Sequence, residues 1–362
     1  MLLSQSSESS QGSPEQEPEV ESKVHEGDEG KKVIEMNEPL NEDEKLIWQY
    51  LLTIMEDKRR AEHKNDNEND KNIDIEKEMQ NMKLTFISEV FETSHGMTAK
   101  AFMINTLEDG KWVSQSVIDC WAAVLNYTEK KNNPKGKRRL RCYTTMIVTG
   151  IHAENEAATK KAFDTLKSHL KEVVECDNEM LKLKAVNIII VLMIEKNHFY
   201  LICFDLDNKT VEVIDNVANS WFYKMISGTK IEDMGTQCKV KHYIVGYLKD
   251  VGHPKASQMA DAKLTRKKLE WETTDNFNDC GVFAMRHMEM YGGSDVQFEC
   301  GFSTRKDIQG TQLKNLRMKL ATRVLLSESN VYRGHVLDRA RETLHGMKDE
   351  EMQQMLNVES VK

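Results

Sequence analysis

The sequence lacks any run of about 18 apolar residues, whereas a membrane-crossing helix needs about 20. It begins with Met-Leu-Leu-Ser-Gln-Ser, which has neither the basic block nor the apolar block of a secretory signal. We therefore expect no membrane segment and no export. The prediction is an intracellular protein of the nucleus or cytoplasm.

A basic domain is also missing. Residues 1–45 hold 13 Asp and Glu against four Lys, a net charge of -9 that equals the net charge of the whole chain. The rest of the sequence is therefore neutral in sum. Proteins dedicated to nucleic acids need a basic surface to displace counterions from phosphates, so we expect no direct nucleic-acid partner.

Motifs for metals and common cofactors are absent too. The seven cysteines are scattered and include no Cys-x-x-Cys pair, which argues against a disulfide framework and a zinc ribbon. The motifs G-x-x-x-x-G-K, G-x-G-x-x-G, H-E-x-x-H and G-x-S-x-G do not occur either. This weakens the case for nucleotide binding, metalloproteases and serine hydrolases. We expect no metal and no cofactor.

The N-terminal part of the chain differs in composition from the rest. Residues 1–45 are rich in Ser, Gln, Glu and Gly, bury too little apolar area to fold, and are predicted to be a disordered acidic tail. Asn41 and Glu44 form a capping signal before an amphipathic helix. We assign residues 46–95 to a helical extension or tether and residues 328–362 to a C-terminal helical tail.

The middle of the chain carries the clearest strand pattern. Ile, Val, Phe and Leu dominate residues 185–194, 199–204 and 211–214, which predicts three short strands. Helical patterns precede these strands, and another covers residues 313–324. This order favours an α+β fold with a central mixed or antiparallel sheet flanked by helices.

Residues 130–141 hold seven basic side chains around Pro134 and Gly136. This pattern predicts an exposed loop. Such a loop is most simply a solvated surface, and the alternatives are a nuclear-import signal or a dock for an acidic partner.

Cys280 differs from the other cysteines in its setting. Polar Asn278 and Asp279 precede it, and an apolar helical pattern follows at once. Unpaired N–H groups and the dipole at a helix N-terminus favour a thiolate over a thiol. Cys280 is therefore a candidate nucleophile, with a small core hydrophobe as the alternative. We expect Cys203, inside a strand, to be inert, and His287, on the following helix, to be a core residue.

His198 and Asp215 lie at the ends of predicted strands. If the turn is centred between Leu206 and Asp207, the two residues oppose each other across a hairpin. A carboxylate in that place would hold the imidazole tautomer that a Cys–His pair needs. Each residue alone has an ordinary alternative as a solvated cap or turn residue, but their joint placement favours a catalytic pair.

These features together resemble the ubiquitin-like-protein proteases, also called SUMO or sentrin-specific proteases, which are adenain-like cysteine peptidases. The resemblance covers about residues 96–327, which we assign to the catalytic domain, and its C-terminal part looks most like the plant, transposon-associated branch. It rests on these motifs: His198-Phe199, Asp215 in Val-Ile-Asp-Asn, Asp279-Cys280-Gly281 preceded by Asn276, the segment 107–118 with Trp112, and Met285 to Tyr291.

The resemblance implies a papain-like fold and a thiol protease reaction. Cys280 would attack the carbonyl after a C-terminal Gly-Gly, His198 would act as base and then acid, and Asp215 would orient the imidazole. A narrow tunnel lined by Trp112 and Phe199 would admit only glycines. The implied partners are SUMO or another ubiquitin-like protein and its conjugates.

Two positions depart from the pattern of that family. Thr274 stands where the family has its oxyanion glutamine, so Thr274, Asn276 and Asn278 are the candidate oxyanion donors. Gln115 replaces an acidic residue and remains a candidate for substrate binding. One alternative is therefore a catalytically weak, transposon-derived module that binds a ubiquitin-like protein. Another is acyl transfer to a different acceptor on the same fold.

Overall fold

The structure is a computed structural model that describes residues 33–65, 87–134, 136–144, 155–173, 183–218, 235–274 and 276–345. Most of the predicted acidic tail and of the polar stretch after the first helix lies outside the described residues. Buried side chains from Ile34 to Leu344 form one hydrophobic core.

Two sheets are present in the described part of the chain. A small antiparallel sheet pairs β1 (Glu89–Glu92) with β2 (Thr98–Lys100). The central sheet has the order β3 (Arg138–Cys142), β4 (Val186–Glu195), β5 (His198–Asp205), β6 (Thr210–Ile214) and β7 (Leu264–Arg266). Its outer pairs, β3 with β4 and β6 with β7, are parallel, while β5 is antiparallel to both of its neighbours. The sheet is therefore mixed, and the predicted α+β class is confirmed.

Helices cover this sheet. They are α1 (Glu42–Asn65), α2 (Ala101–Ile104) with a 3-10 turn at Asn105–Leu107, α3 (Gln115–Asn132), α4 (Glu156–Val173), α5 (Thr236–Asp250), α6 (Ala256–Asp261), α7 (Cys280–Met290), α8 (Lys306–Leu326) and α9 (Arg333–Leu344). Helix α7 packs between β5 and α3 and is buried along most of its length. This packing places its first residue beside the start of β5, where His198 lies.

The register of the β5–β6 hairpin differs from the predicted one. Asp205 pairs with Thr210, so the turn is centred between Asp207 and Asn208, one residue later than predicted. The cause is the side chain of Asp205, whose Oδ1 accepts the backbone N–H groups of Asp207 and Asn208 at 3.1 and 3.0 Å. Lys209 completes the longer turn with φ of 57°.

The prediction of an exposed loop over residues 130–141 holds only for its middle, where Asn133, Pro134 and Lys137 are exposed, and it is wrong at both ends. Helix α3 continues through Asn132, and the buried strand β3 begins at Arg138. The arginines of β3 are buried because Arg139 and Arg141 both bind the Glu129 carboxylate, at 2.9 and 3.0 Å. They also donate to backbone carbonyls at the end of α7. Charge-pairing and carbonyl acceptors thus compensate for the loss of water.

The first helix begins with the predicted capping box, in which Asn41 and Glu44 exchange side chain to backbone hydrogen bonds, both at 2.9 Å. The helix packs against α8 and α9. Upstream of it, Ile34 and Met36 are buried in the core, and the N–H of Ile34 donates to the Glu289 carboxylate at 2.8 Å. Residues 33–41 therefore contact the folded unit, although the sequence placed them in the acidic tail.

Candidate active site

His198 and Asp215 meet at one edge of the central sheet. The imidazole Nε2 lies 2.7 Å from Oδ1 of Asp215, and both side chains are almost fully buried. In the observed register His198 would oppose Val217, so the expected direct pairing with Asp215 is wrong. The shift is two residues, which keeps Asp215 on the same face as a diagonal neighbour. The predicted contact therefore exists through a different register.

Asp215 is itself held in place by the backbone. Its Oδ1 also accepts the N–H of Val217 at 2.9 Å. The side chain follows the last residue of β6, so the strand fixes its position while its carboxylate turns toward the ring of His198. Because Nε2 of the imidazole is hydrogen-bonded to Asp215, Nδ1 is the ring nitrogen that can take part in proton transfer.

Cys280 is the first residue of α7 and is fully buried. Its N–H lies in the first turn, where backbone donors have no partner within the helix. Its side chain is close enough to His198 to be one of the groups that raise the pKa of the imidazole. Two described cysteines lie within strands of the central sheet: burial alone raises the pKa of Cys142 to about 12, and burial in β5 is the main reason why the pKa of Cys203 is raised. Those thiols stay protonated at neutral pH.

The environment of His198 favours the imidazolium. Burial of the ring lowers its pKa, but the hydrogen bonds and charges of Asp215 and Cys280 act in the opposite direction and prevail. The result is a pKa raised to about 9, well above the ordinary histidine value. At neutral pH the ring therefore carries the proton that a leaving amine would need.

Trp112 and Phe199 lie together beside this pair. Their rings stack with centroids 4.7 Å apart and an interplanar angle of 21°. The indole N–H of Trp112 donates to the carbonyl of Asn197 at 3.0 Å, which ties the segment before α3 to the turn that precedes His198. Phe199 is buried whereas Trp112 is only partly buried, so the accessible surface of this stacked pair belongs to the tryptophan.

Gln115 begins α3, and its amide donates to the Thr144 hydroxyl. That hydroxyl in turn donates to Asp119 at 2.6 Å. Burial raises the pKa of Asp119 to about 6, while its hydrogen bonds with Thr144 and Gln115 oppose the rise. The candidate substrate-binding side chain of Gln115 is therefore held against α3 and the end of β3.

The three oxyanion candidates occupy different settings in the loop before α7. Thr274 is exposed and follows Thr273, whose backbone bridges to Val217. The Asn276 amide donates to Oδ2 of Asp279 at 2.7 Å, and this hydrogen bond stabilises the loop. Asn278 is exposed. The structure thus brings Thr274 and Asn278 to the surface and directs Asn276 inward.

Two residues of this region were not predicted from the sequence. Arg317 is buried on α8 and donates to Asp279, the neighbour of Cys280. A side chain at Gly281 would place its Cβ only 2.8 Å from Cβ of Val113, so the glycine permits close contact with the segment after Trp112. One sequence feature could have revealed Arg317: it is an arginine on the apolar face of a predicted helix, among Leu313, Leu316, Leu320 and Val324.

His287 is a core residue, as its helix predicted. It is buried, and its Nε2 accepts the indole N–H of Trp271 at 3.2 Å. Burial lowers its pKa to about 3, so the ring is neutral. Among the described residues, no group of three or more His, Cys, Asp or Glu side chains is arranged to hold a metal ion. No helix in the described ranges is both long and apolar enough to cross a membrane.

A buried cysteine at a helix start, near a histidine on a mixed sheet, is compatible with a cysteine peptidase, and the match to a peptidase family model shows that this protein is a hydrolase of that class. The chain matches the family model of the Ulp1 protease family, C-terminal catalytic domain, over residues 111–327. It therefore belongs to the Ulp1 protease family. A comparison with curated proteins finds no match.

One solved structure shares the fold at low sequence identity, and two more are similar to this chain. SUMO protease Ulp1 with its catalytic cysteine oxidised to a sulfenic acid is 12% identical, with a TM-score of 0.50 over 82% of this chain and 100% of that one. The C-terminal Ulp1 protease domain in complex with Smt3, the yeast orthologue of SUMO, is 13% identical, with a TM-score of 0.49 over 83% of this chain and 100% of that one. The Chaetomium thermophilum Ulp1-like SUMO protease catalytic domain is 14% identical, with a TM-score of 0.42 over 68% of this chain and 88% of that one.

Proposed function

We propose that this protein hydrolyses the bond after the C-terminal Gly-Gly of SUMO or a related ubiquitin-like modifier. The observation that carries the proposal is the placement of buried Cys280 at the start of α7, in interaction with a His198 that is bonded to Asp215. Family membership and the similarity to SUMO protease Ulp1 support SUMO as the substrate class.

In the proposed mechanism, the thiol proton of Cys280 already resides on the imidazolium of His198, and the thiolate attacks the carbonyl carbon of the terminal glycine. The developing oxyanion accepts a hydrogen bond from the backbone N–H of Cys280 at the helix start. His198 then gives its proton to the departing amine, which leaves an acyl-enzyme. Asp215 acts by holding the imidazole tautomer and stabilising its positive charge.

In the second half of the reaction, His198 removes a proton from water, which attacks the thioester carbonyl. The C–S bond breaks, the modifier leaves with a free carboxylate, and the proton returns to the Cys280–His198 pair. Trp112, stacked on Phe199, supports selection for glycine, because a flat wall beside the nucleophile excludes larger side chains. Gln115 is proposed to contact the modifier farther from the scissile bond.

An electrophilic SUMO probe, in which a vinyl ester replaces the terminal carboxylate, tests this function. We expect covalent labelling of the full chain at Cys280, seen as a mass increase of the peptide that contains it. Cys280→Ala should abolish labelling. The matched control is Cys238→Ala, which removes a partly exposed cysteine on α5 and should label like the wild type.

A panel of probes built on other ubiquitin-like proteins identifies the preferred modifier. Failure of every probe to label Cys280 would rule out the proposed function. The alternative of a weak binding module has less support, because Cys280 at a helix start and the buried His198–Asp215 pair keep the arrangement that cysteine catalysis needs. That alternative predicts reversible binding of the SUMO probe with no covalent adduct.

A further inference from the structure

Arg317 is almost fully buried on α8 and forms a bidentate contact with the residue before Cys280. Its Nε and Nη2 donate to Oδ1 of Asp279 at 2.8 and 2.6 Å. The same Nη2 lies 3.2 Å from the carbonyl oxygen of Asn278. The guanidinium therefore holds both the side chain and the backbone of the segment that enters α7.

The same guanidinium also holds a second segment. Nη2 donates to the carbonyl of Lys111 at 2.7 Å, and Nη1 donates to the carbonyls of Glu108 and Thr106 at 3.0 and 3.3 Å. Lys111 immediately precedes Trp112. One side chain thus binds the residue before the tryptophan wall and the residue before the nucleophile.

The two segments also touch beyond the guanidinium. Gly281 follows Cys280, and the absence of a side chain lets it approach Val113, which follows Trp112. The two segments are therefore joined both by Arg317 and by the packing of Gly281 against the Val113 side chain. Few degrees of freedom remain between the tryptophan and the cysteine.

We propose that Arg317 is a positioning residue that sets the separation of Trp112 from Cys280 and thereby the selectivity for glycine at the cleavage site. This inference rests on the proposed function. Arg317 touches neither the thiol nor the imidazole, so it acts through Lys111 and Asp279. If the two segments separate, the space beside the nucleophile widens and a methyl group on the substrate is no longer excluded.

Arginine suits this position because its planar head has five N–H donors in a fixed fork. A lysine keeps the positive charge but offers three donors at one point, so it cannot replace the contacts of Nη2 with Lys111 and Asp279 together with those of Nε with Asp279 and of Nη1 with Glu108 and Thr106. Arg317→Lys therefore tests geometry while the charge is maintained. Arg323→Lys is the matched control, because Arg323 lies on the same helix and binds Glu44 away from the site.

The test uses the full chain and two fluorogenic substrates, SUMO–aminomethylcoumarin with its natural Gly-Gly end and the same protein ending in Ala-Gly. We measure kcat and KM for both, the melting temperature, and the rate at which iodoacetamide alkylates Cys280. Sub-ångström to 1 Å displacements of reacting groups cost up to about 100-fold in rate. We therefore expect Arg317→Lys to lower kcat for Gly-Gly by about tenfold or more, and to reduce the Gly-Gly over Ala-Gly preference by about fivefold or more.

Arg323→Lys should leave both quantities within about twofold of wild type. An unchanged preference in a folded Arg317→Lys protein that has lost activity equally on both substrates would overturn the proposal, because it would mean a general structural role. If Arg317→Lys does not fold, Asp279→Asn takes its place, since it weakens the same contact, and it should reduce the preference in the same direction. An unchanged preference in Asp279→Asn would likewise overturn the proposal.

The alkylation rate separates this inference from the proposed function. If wild type does not cleave either substrate, the substrate assignment fails, but the spacing of Cys280 and His198 can still be measured. Arg317→Lys should then be alkylated at least about fivefold more slowly than Arg323→Lys, because the thiolate depends on its distance from the imidazole. Equal rates would overturn the role of Arg317.

Discussion

The Nε2 atom of His198 lies 2.7 Å from Oδ1 of Asp215, and the two residues are diagonal rather than direct neighbours in the β5–β6 hairpin. The carboxylate therefore reaches the ring along the strand direction. Its second contact, with the N–H of Val217, prevents it from rotating away. This geometry explains why a buried imidazole retains a high pKa.

The first prediction concerns pH. The pKa of His198 is raised from 6.5 to about 9, so the imidazolium contributes to folding stability fully below about pH 6.5 and this contribution is lost as pH rises through 9. We expect kcat/KM to decline on the alkaline side near pH 9. Asp215→Asn removes the charge that raises this pKa and should move the alkaline decline to lower pH.

The measurement is a pH profile of SUMO–aminomethylcoumarin cleavage, with folding checked by near-UV circular dichroism at each pH. The control variant is His335→Gln, an exposed histidine on α9, which should keep the wild-type profile. An alkaline decline at the same pH in Asp215→Asn would show that Asp215 does not set the protonation of His198.

The second prediction concerns the oxyanion site. Loss of one oxyanion donor typically costs a factor of about 100 to 1,000 in turnover. Thr274 is exposed beside the loop, and its hydroxyl is shorter than a glutamine amide by two heavy atoms. We expect Thr274→Gln to raise kcat by at least about fivefold with little change in KM, because such a bond forms only in the transition state.

Steady-state kinetics with the SUMO substrate measures this effect. Thr274→Ser is the control, because it keeps a hydroxyl without lengthening the side chain. The competing possibility is that Asn278 supplies the missing donor. In that case Thr274→Gln would leave kcat unchanged while Asn278→Ala would abolish turnover, and the idea of a weakened oxyanion site would be wrong.

The third prediction concerns Gly281. An alanine Cβ there would lie 2.8 Å from Cβ of Val113 and 3.2 Å from Cδ1 of Ile118, so α7 must move away from the segment after Trp112. We expect Gly281→Ala to lower the free energy of unfolding by about 1 to 3 kcal/mol and to reduce kcat. Urea denaturation and steady-state kinetics measure the two effects.

Gly334→Ala makes the same change on α9, where an added Cβ meets nothing within 4 Å. It should leave turnover unchanged and raise the free energy of unfolding by about 0.5 to 1 kcal/mol, because alanine is the better helix former. Equal effects of the two substitutions would contradict the close-packing role of Gly281.

The fourth prediction concerns the start of the folded unit. Deletion of residues 1–32 should leave stability and turnover unchanged, because the composition of that segment does not support a core. Deletion of residues 1–40 also removes Ile34 and Met36, which are 0% and 4% exposed, and leaves Glu289 without the N–H of Ile34. It should cost about 3 kcal/mol or more.

Thermal and urea denaturation of the two truncated proteins test this difference directly. Equal stability of the two would mean that the contacts of Ile34 and Met36 contribute nothing. The prediction also separates the acidic tail suggested by composition from residues 33–41, which are acidic in part but contain these two apolar side chains.

The sequence alone determined the local elements and the chemistry of the candidate residues. Apolar runs placed β4, β5 and β6 within a residue or two of their observed ends, because strands buried on both faces need continuous apolar runs. A cysteine between a polar loop and an apolar helix was recognisable because helix N-termini have a local signature. The order His198, Asp215, Cys280 was sufficient to suggest a peptidase.

Only the tertiary structure decided the relationships that depend on distant contacts. The turn of the β5–β6 hairpin moved by one residue because the Asp205 side chain captured two backbone N–H groups, an outcome that apolar alternation does not encode. The arginines of β3 became buried because Glu129 and the end of α7 happen to face them. Arg317 joins Lys111, 206 residues away in the chain, to Asp279, 38 residues away. Such a contact has no local pattern, since its energy arises only when the three segments are already folded together.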